Sequence, residues 1–165
     1  MLAARTEGNN MKPIVSALLC GFFAYNAFAD APPPPPDPAQ VKFQWGVKIP
    51  LRDGVKLNAT VYTPREQKAP APCVFTLTPY ISQSYHDRGM YFAAHGYPFL
   101  TVDVRGRGNS QGQFRPLIQE ARDGHDVVEW LAQQPYCNGK VTMWGGSYAG
   151  YNQWATLYGD RKSVV

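Results

Sequence analysis

Residues 140–150 read Lys140-Val141-Thr142-Met143-Trp144-Gly145-Gly146-Ser147-Tyr148-Ala149-Gly150. A short apolar segment with strand character leads into small residues around Ser147, and residues 148–157 then have helical character. This arrangement is typical of a nucleophile elbow, a strand-to-helix turn so tight that the serine adopts a strained backbone conformation. Small residues on both sides prevent collisions with the neighbouring strand and helix. The stretch therefore predicts that Ser147 is a nucleophile.

Attack by Ser147 on a carbonyl carbon requires further groups from elsewhere in the chain. A histidine must accept the hydroxyl proton, and a carboxylate must orient that histidine. Hydrogen-bond donors must stabilise the oxyanion, and the elbow supplies one of them, the backbone N–H of Tyr148. The turn Thr78-Pro79-Tyr80 follows an earlier predicted strand and is expected to supply the second. That donor is either the Tyr80 hydroxyl or, as is more usual, the Tyr80 backbone N–H.

The sequence before the elbow predicts strands that alternate with helices. Residues 43–51 and 55–62 alternate polar and apolar side chains around Asp53-Gly54, a dipeptide typical of hairpin turns. The later elements follow in chain order: a strand at 73–77, a helix at 87–95 that stops at Gly96, a strand at 98–103, a helix at 120–133 and a strand at 141–144. This order predicts an α/β fold with a mainly parallel sheet, flanking helices and an antiparallel hairpin in front.

The predicted helix at 120–133 is amphipathic. Its buried face is expected to contain Val127, Val128, Trp130 and Leu131. Its solvated face is expected to contain Asp123, Asp126 and Glu129.

The segment Arg105-Gly106-Arg107-Gly108 superficially resembles a phosphate-binding loop. It lacks the Lys-Ser/Thr ending of a P-loop and the glycine spacing of a dinucleotide site, so we interpret it as a structural turn. Asp103 ends the preceding strand. We expect it to form an ion pair with Arg105 or Arg107 rather than to act as a base.

The three histidines, His86, His95 and His125, all precede Ser147. None of them fits the order serine, acid, histidine that this class of fold uses. We therefore expect all three to be structural.

Composition excludes several classes of protein. The formal net charge is +4 and no cluster of Lys and Arg stands out, so nucleic acid is not an expected partner. No cysteine spacing indicates a metal site. Cys73 is expected to be a small buried side chain. A disulfide between Cys73 and Cys137 stays open as an alternative in an oxidising compartment.

The two ends of the chain do not resemble the middle. Residues 11–29 have the basic start, the apolar run (14–24) and the Ala27-Phe28-Ala29 site of a signal peptide, and the run is too short to span a bilayer. We expect residues 1–29 to be a leader, with 1–10 upstream of the true start, and the protein to be exported to the periplasm or secreted. A buried helix and a lipoprotein anchored at Cys20 are the alternatives. Residues 30–40 form a proline-rich spacer. Residues 160–165 break the helical pattern, and we interpret them as a non-native tail.

Four segments in order resemble the X-Pro dipeptidyl-peptidase/cocaine esterase-like (CocE/NonD) serine hydrolases, a grouping that includes α-amino acid ester hydrolases and glutaryl acylases. They are IPLRDGVKL (49–57), TPY (78–80), DVRGRGNSQG (103–112) and GGSYAG (145–150). The likeness extends from Phe43 to Tyr158.

The resemblance implies an α/β-hydrolase fold and cleavage of an ester or amide through a seryl acyl-enzyme, with no cofactor or metal. Ser147 is the implied nucleophile, and the Tyr80 hydroxyl and the Tyr148 N–H are the implied oxyanion donors. The implied substrate is a small molecule or short peptide. In this family the catalytic Asp and His, a helical cap and a jelly-roll domain come later in the chain. Residues 41–159 therefore correspond to a partial hydrolase domain, and we expect the 165-residue product to be inactive alone.

Three other hypotheses remain open at this point. Prolyl-oligopeptidase-type peptidases share the elbow and the Asp-x-Arg-Gly segment, although Thr-Pro-Tyr and Asn-Ser-Gln-Gly favour the first family. A non-catalytic secreted binding module has no need of Ser147 and Tyr80. A truncated reading frame would have no function.

Overall fold

One mixed sheet organises the computed structural model, which describes residues 34–159. The predicted leader (1–29) and tail (160–165) lie outside the described residues. Among those described, the five strands are β1 (Val41–Pro50), β2 (Lys56–Pro64), β3 (Ala71–Thr78), β4 (Phe99–Asp103) and β5 (Cys137–Met143). They lie in the order β1-β2-β4-β3-β5. β1 with β2 and β2 with β4 are antiparallel, whereas β3 runs parallel to β4 and β5. The predicted α/β fold, the hairpin and the parallel pairing of β3 with β4 and β5 are confirmed, and the antiparallel pairing of β2 with β4 makes the described sheet mixed.

Helices cover both faces of the sheet. They are α1 (His86–Ala94), α2 (Glu120–Ala132) and α3 (Tyr148–Gly159), close to the predicted bounds. α1 packs over a cluster that includes Tyr62, Met90 and Phe99. α2 packs over the larger cluster on the other face, which includes Phe75, Val127 and Leu131. Within residues 34–159, no helix has the length and apolar character needed to cross a bilayer.

α2 and α3 pack closely enough to require a glycine. A Cβ at Gly124 would collide with the hydroxyl of Thr156 on α3. This contact sets the position of α3 against α2, and α3 carries the elbow at its start.

The acidic side chains of α2 do not all face solvent, so that prediction was wrong for two of the three. Asp123 is 5% exposed and binds Arg105 through two hydrogen bonds of 2.9 and 2.7 Å. Asp126 accepts a hydrogen bond of 2.7 Å from the Arg52 side chain. Only Glu129 is exposed as predicted. Arg105, in the loop after β4, pairs with Asp123, and Arg52, in the hairpin turn, pairs with Asp126, so neither carboxylate faces open solvent.

The expected ion pair of Asp103 with Arg105 or Arg107 was also wrong. Asp103 is 1% exposed, and its carboxylate accepts hydrogen bonds from the Asn58 side chain and the Ser82 N–H, both at 3.3 Å. Arg105 instead binds Asp123 and Asp53. Arg107 donates to the Pro79 carbonyl at 3.2 Å.

Cys73 and Cys137 are both buried and are free thiols. Burial raises the pKa of the Cys73 thiol, and the neighbouring Cys137 adds to the shift. Cys73 is thus the small buried side chain that the sequence predicted, and the alternative of a disulfide is not adopted in this structure.

α3 leaves large apolar side chains uncovered in the described part of the chain. Trp154 is 76% exposed, Tyr158 79% and Leu157 54%, and β5 is an edge strand of the described sheet. Exposed apolar patches and unpaired edges promote association. We expect the 165-residue chain to self-associate and Trp154→Glu with Leu157→Lys to shift it towards monomer in sedimentation velocity.

The control is Ile81→Glu, which changes a similarly exposed residue (73%) in the turn after β3 and should leave the distribution unchanged. If the unsubstituted 165-residue chain is a monomer, or if Ile81→Glu shifts the distribution equally, self-association does not depend on the exposed side chains of α3.

Candidate active site

The elbow lies between the end of β5 and the start of α3. Ser147 has φ 55, and it and Leu117 are the two non-glycine residues with positive φ among those described. An L-residue with a positive φ has a strained backbone conformation, which persists only where the surrounding structure stabilises it. The strained serine predicted from residues 140–150 is therefore present.

Small residues next to Ser147 make the turn possible. A Cβ at Gly145, which has φ 137, would lie 2.7 Å from Ala149 Cβ and 3.1 Å from Thr76 Oγ1. The Gly145 carbonyl accepts a hydrogen bond of 2.8 Å from the Gln153 side chain on α3. Gly145 thus brings the strand end onto the first turn of the helix, and Gln153 holds it there.

The fold brings Tyr80, which lies 67 positions earlier in the chain, to Ser147. Its hydroxyl lies 3.1 Å from Ser147 Oγ. Its backbone N–H donates to Thr78 Oγ1 at 3.1 Å and is therefore occupied. Of the two donors that the sequence left open at Tyr80, the hydroxyl is the one that reaches the serine. Tyr80 is 47% exposed, so this pair of hydroxyls faces open space.

The loop after β4 holds the Tyr80 turn in place. The Val104 N–H donates to the Thr78 carbonyl at 3.0 Å, and the Arg107 side chain donates to the Pro79 carbonyl at 3.2 Å. The loop also closes on itself through a hydrogen bond of 2.9 Å from the Gly106 N–H to the Gln111 carbonyl. The glycine-rich segment thus supports the turn that carries Tyr80.

Tyr148 begins α3, and the first N–H groups of a helix have no acceptor within that helix. The same helix end carries partial positive charge, which suits an oxyanion. The Tyr148 hydroxyl donates a short hydrogen bond to Glu120 Oε1 and accepts one of 2.9 Å from the Leu117 N–H. Burial raises the pKa of Tyr148, and the hydrogen bond to Glu120 adds to the shift.

Glu120 and Leu117 were not identified as site residues from the sequence. Each is about thirty positions from Tyr148 in the chain, and no local pattern reports such a contact. One signal was available for Glu120, since it lies four and seven positions before Gly124 and Val127, on the stripe of α2 that packs inward.

Two of the histidines lie within hydrogen-bond distance of nearby tyrosine residues. His86 Nδ1 lies 3.1 Å from the Tyr62 hydroxyl, and the ring stacks on Trp45. His95 Nδ1 lies 2.7 Å from the Tyr91 carbonyl of the same helix. Over residues 34–159, no three His, Cys, Asp or Glu side chains converge in a group that could hold a metal ion.

Comparisons with known proteins agree with this geometry. A family model described as X-Pro dipeptidyl-peptidase (S15 family) matches residues 53–164. Cocaine esterase from Rhodococcus sp. (strain MB1 Bresler) is 32% identical over 114 residues, which are 66% of this chain and 20% of that enzyme. A solved α-amino acid ester hydrolase has a TM-score of 0.64 at 31% identity and covers 72% of this chain and 23% of its own. An α/β hydrolase from Penicillium sp. sh18 has a TM-score of 0.60 at 25% identity, over 73% of this chain and 42% of its own. The chain therefore spans about a fifth of the length of the first two.

Proposed function

The chain belongs to the X-Pro dipeptidyl-peptidase (S15) family and has the α/β-hydrolase fold, and we propose on that basis that the whole protein is a serine hydrolase. Ser147 is the proposed nucleophile for cleavage of an ester or amide bond. The observation that carries the proposal is the 3.1 Å approach of the Tyr80 hydroxyl to the strained Ser147. A binding module has no use for this arrangement, and the family match favours this reading over a prolyl-oligopeptidase-type peptidase.

The proposed reaction has two steps. Ser147 Oγ attacks the carbonyl carbon, its proton passes to a histidine, and the alcohol or amine leaves with that proton. Water then attacks the acyl-serine and releases the acid. In both steps the Tyr80 hydroxyl and the Tyr148 N–H bind the oxyanion, and the N-terminus of α3 adds its positive end.

The histidine and its carboxylate partner are proposed to come from outside residues 34–159. His86 and His95 are engaged on α1 and β2, as described above. The chain covers 20% of cocaine esterase, which leaves ample room for both groups in a whole protein of similar length.

The proposed substrate is a small ester or amide or a short peptide. The relatives include an esterase and an amino acid ester hydrolase, and the family is described by its X-Pro dipeptidyl-peptidases. Substrate choice among these depends on the pocket walls rather than on the elbow.

The test uses the whole protein with two kinds of chromogenic substrate, p-nitrophenyl esters and X-Pro p-nitroanilides. Hydrolysis with an initial burst of p-nitrophenol is the expected result, because an activated ester should acylate Ser147 faster than water releases the acid. Hydrolysis of the ester alone identifies an esterase, and hydrolysis of both identifies a peptidase. No turnover of either would overturn the proposal.

Tyr80→Phe removes one oxyanion donor while keeping the ring. We expect kcat to fall roughly 100-fold, about 3 kcal/mol of transition-state stabilisation, with KM little changed. Steady-state kinetics on a p-nitrophenyl ester measures it. Tyr97→Phe, another exposed tyrosine, is the control that should keep the full rate. Full activity of Tyr80→Phe would contradict the role of the hydroxyl.

Export is proposed from the signal-like residues 11–29. N-terminal sequencing of protein recovered from the periplasm or the medium should begin at Asp30. Recovery only from the cytoplasm, with the N-terminus intact, would contradict it.

A further inference from the structure

A buried carboxylate lies behind the elbow and has no part in the proposed chemistry. Glu120 is 3% exposed and begins α2, where the helix dipole favours a negative charge. It accepts hydrogen bonds from the Leu117 N–H at 3.2 Å, from the Gln119 N–H at 3.0 Å and from the Tyr148 hydroxyl. Each of its oxygens therefore has a partner. A buried charge satisfied in this way is costly to disturb.

Leu117, in the segment before α2, is hydrogen-bonded to α3 through both its backbone N–H and its backbone carbonyl. The Leu117 N–H donates to the Tyr148 hydroxyl at 2.9 Å, and the Leu117 carbonyl accepts from the Tyr151 hydroxyl at 3.1 Å. Leu117 has φ 65, which a leucine adopts only when its surroundings determine it. Leu117 is also 58% exposed, so burial of its side chain does not explain the strain.

The side chain of Tyr148 is consequently fixed along its whole length. Its hydroxyl is held by Glu120 and Leu117, and its ring packs near Phe114 and Tyr151 at centroid distances of 6.2 and 5.7 Å. The backbone N–H of the same residue is the proposed oxyanion donor. Movement of the ring would turn the first residue of α3 and change the direction of that N–H.

We propose that Glu120 is a positioning residue, which fixes the oxyanion-binding N–H of Tyr148 by holding the Tyr148 hydroxyl. This role rests on the proposed hydrolase function. It differs from a merely structural role because its loss acts on the transition state and not on substrate binding. Misplacement of a catalytic group by about 1 Å can cost roughly 100-fold in rate.

The first experiment is a double-mutant cycle on the whole protein. Glu120→Ala and Tyr148→Phe should each lower kcat about 10-fold to 100-fold with KM nearly unchanged. The double variant should lower kcat no further than Tyr148→Phe alone, because that substitution already removes the hydrogen bond that Glu120→Ala breaks. Glu120→Gln keeps an acceptor oxygen for the Tyr148 hydroxyl and should restore part of kcat. Additive effects, or full kcat in both single variants, would overturn the proposal.

A second readout does not depend on turnover. In the whole protein, amide hydrogen exchange at Leu117 should become faster in Tyr148→Phe, which removes the hydroxyl that its N–H binds, whereas exchange in β4 should be unchanged. Tyr148→Phe removes only the hydroxyl oxygen, so it tests the contact even if Glu120→Ala fails to fold. Unchanged exchange at Leu117 would overturn the proposal.

The two proposals fail in different ways. If the unsubstituted protein hydrolyses no ester or amide, the proposed function falls and the positioning role falls with it. If hydrolysis requires Ser147 but the cycle shows no coupling between Glu120 and Tyr148, only the positioning role falls.

Discussion

Ser147→Ala is expected to abolish hydrolysis by the whole protein, with kcat lower by about a million-fold. The substitution removes the only atom that can form the acyl-enzyme in the proposed mechanism and leaves both oxyanion donors in place. A fluorophosphonate should add one phosphonyl group to the unsubstituted protein and none to the variant. Intact mass measures the adduct, and steady-state kinetics measures the rate.

The matched control is Ser84→Ala, which removes an exposed serine from the turn before α1. It should keep both the labelling and the rate. Phosphonate labelling that survives Ser147→Ala, or hydrolysis at the original rate, would contradict the assignment of the nucleophile. The 165-residue chain alone should label far more slowly than the whole protein, because a serine hydroxyl without a base is a weak nucleophile.

The features that the sequence predicted best are those encoded within a few neighbouring residues. The elbow depends on Gly145, Ser147 and Ala149, and the hairpin depends on Asp53-Gly54 between two alternating segments. A Cβ at Gly145 would collide with Ala149, and Gly54 has a φ of 84°, which L side chains rarely adopt, so local residues determine the local structure in both cases. The Tyr80 turn could be placed because it follows a parallel strand, and such strand ends meet at one edge of the sheet.

The features that the sequence did not predict depend on partners far along the chain. Asp123 was placed on the solvated face of α2 because Asp123, Asp126 and Glu129 follow one another at near-helical spacing. It lies four and eight positions before Val127 and Leu131, so helical spacing places it on the buried stripe. What spacing does not supply is the partner, Arg105, which makes that burial possible. The same holds for Glu120 and the Tyr148 hydroxyl.

Asp123→Ala is expected to destabilise the folded domain by about 3–5 kcal/mol, because it leaves the Arg105 guanidinium without its main partner in a largely buried place. The side chains of Arg105 and Asp123 are 11% and 7% exposed. Asp53 also binds Arg105, but it is itself half exposed and offers one contact of 2.7 Å. Since domains of this size are stable by only about 5–15 kcal/mol, the variant should lose a large share of its free energy of unfolding.

Urea unfolding followed by tryptophan fluorescence measures the loss, and Glu129→Ala is the control on the same helix. Glu129 is exposed, so its removal should change the free energy of unfolding by less than about 0.5 kcal/mol. Equal effects of the two substitutions would contradict the buried pair and would restore the solvated face that the spacing of acidic residues first suggested. Because Arg105 begins the loop that supports the Tyr80 turn, Asp123→Ala should also slow ester hydrolysis in the whole protein, although Asp123 does not contact Ser147 or Tyr80. A variant that loses stability but keeps kcat would show that the loop holds Tyr80 through Arg107 and Val104 alone.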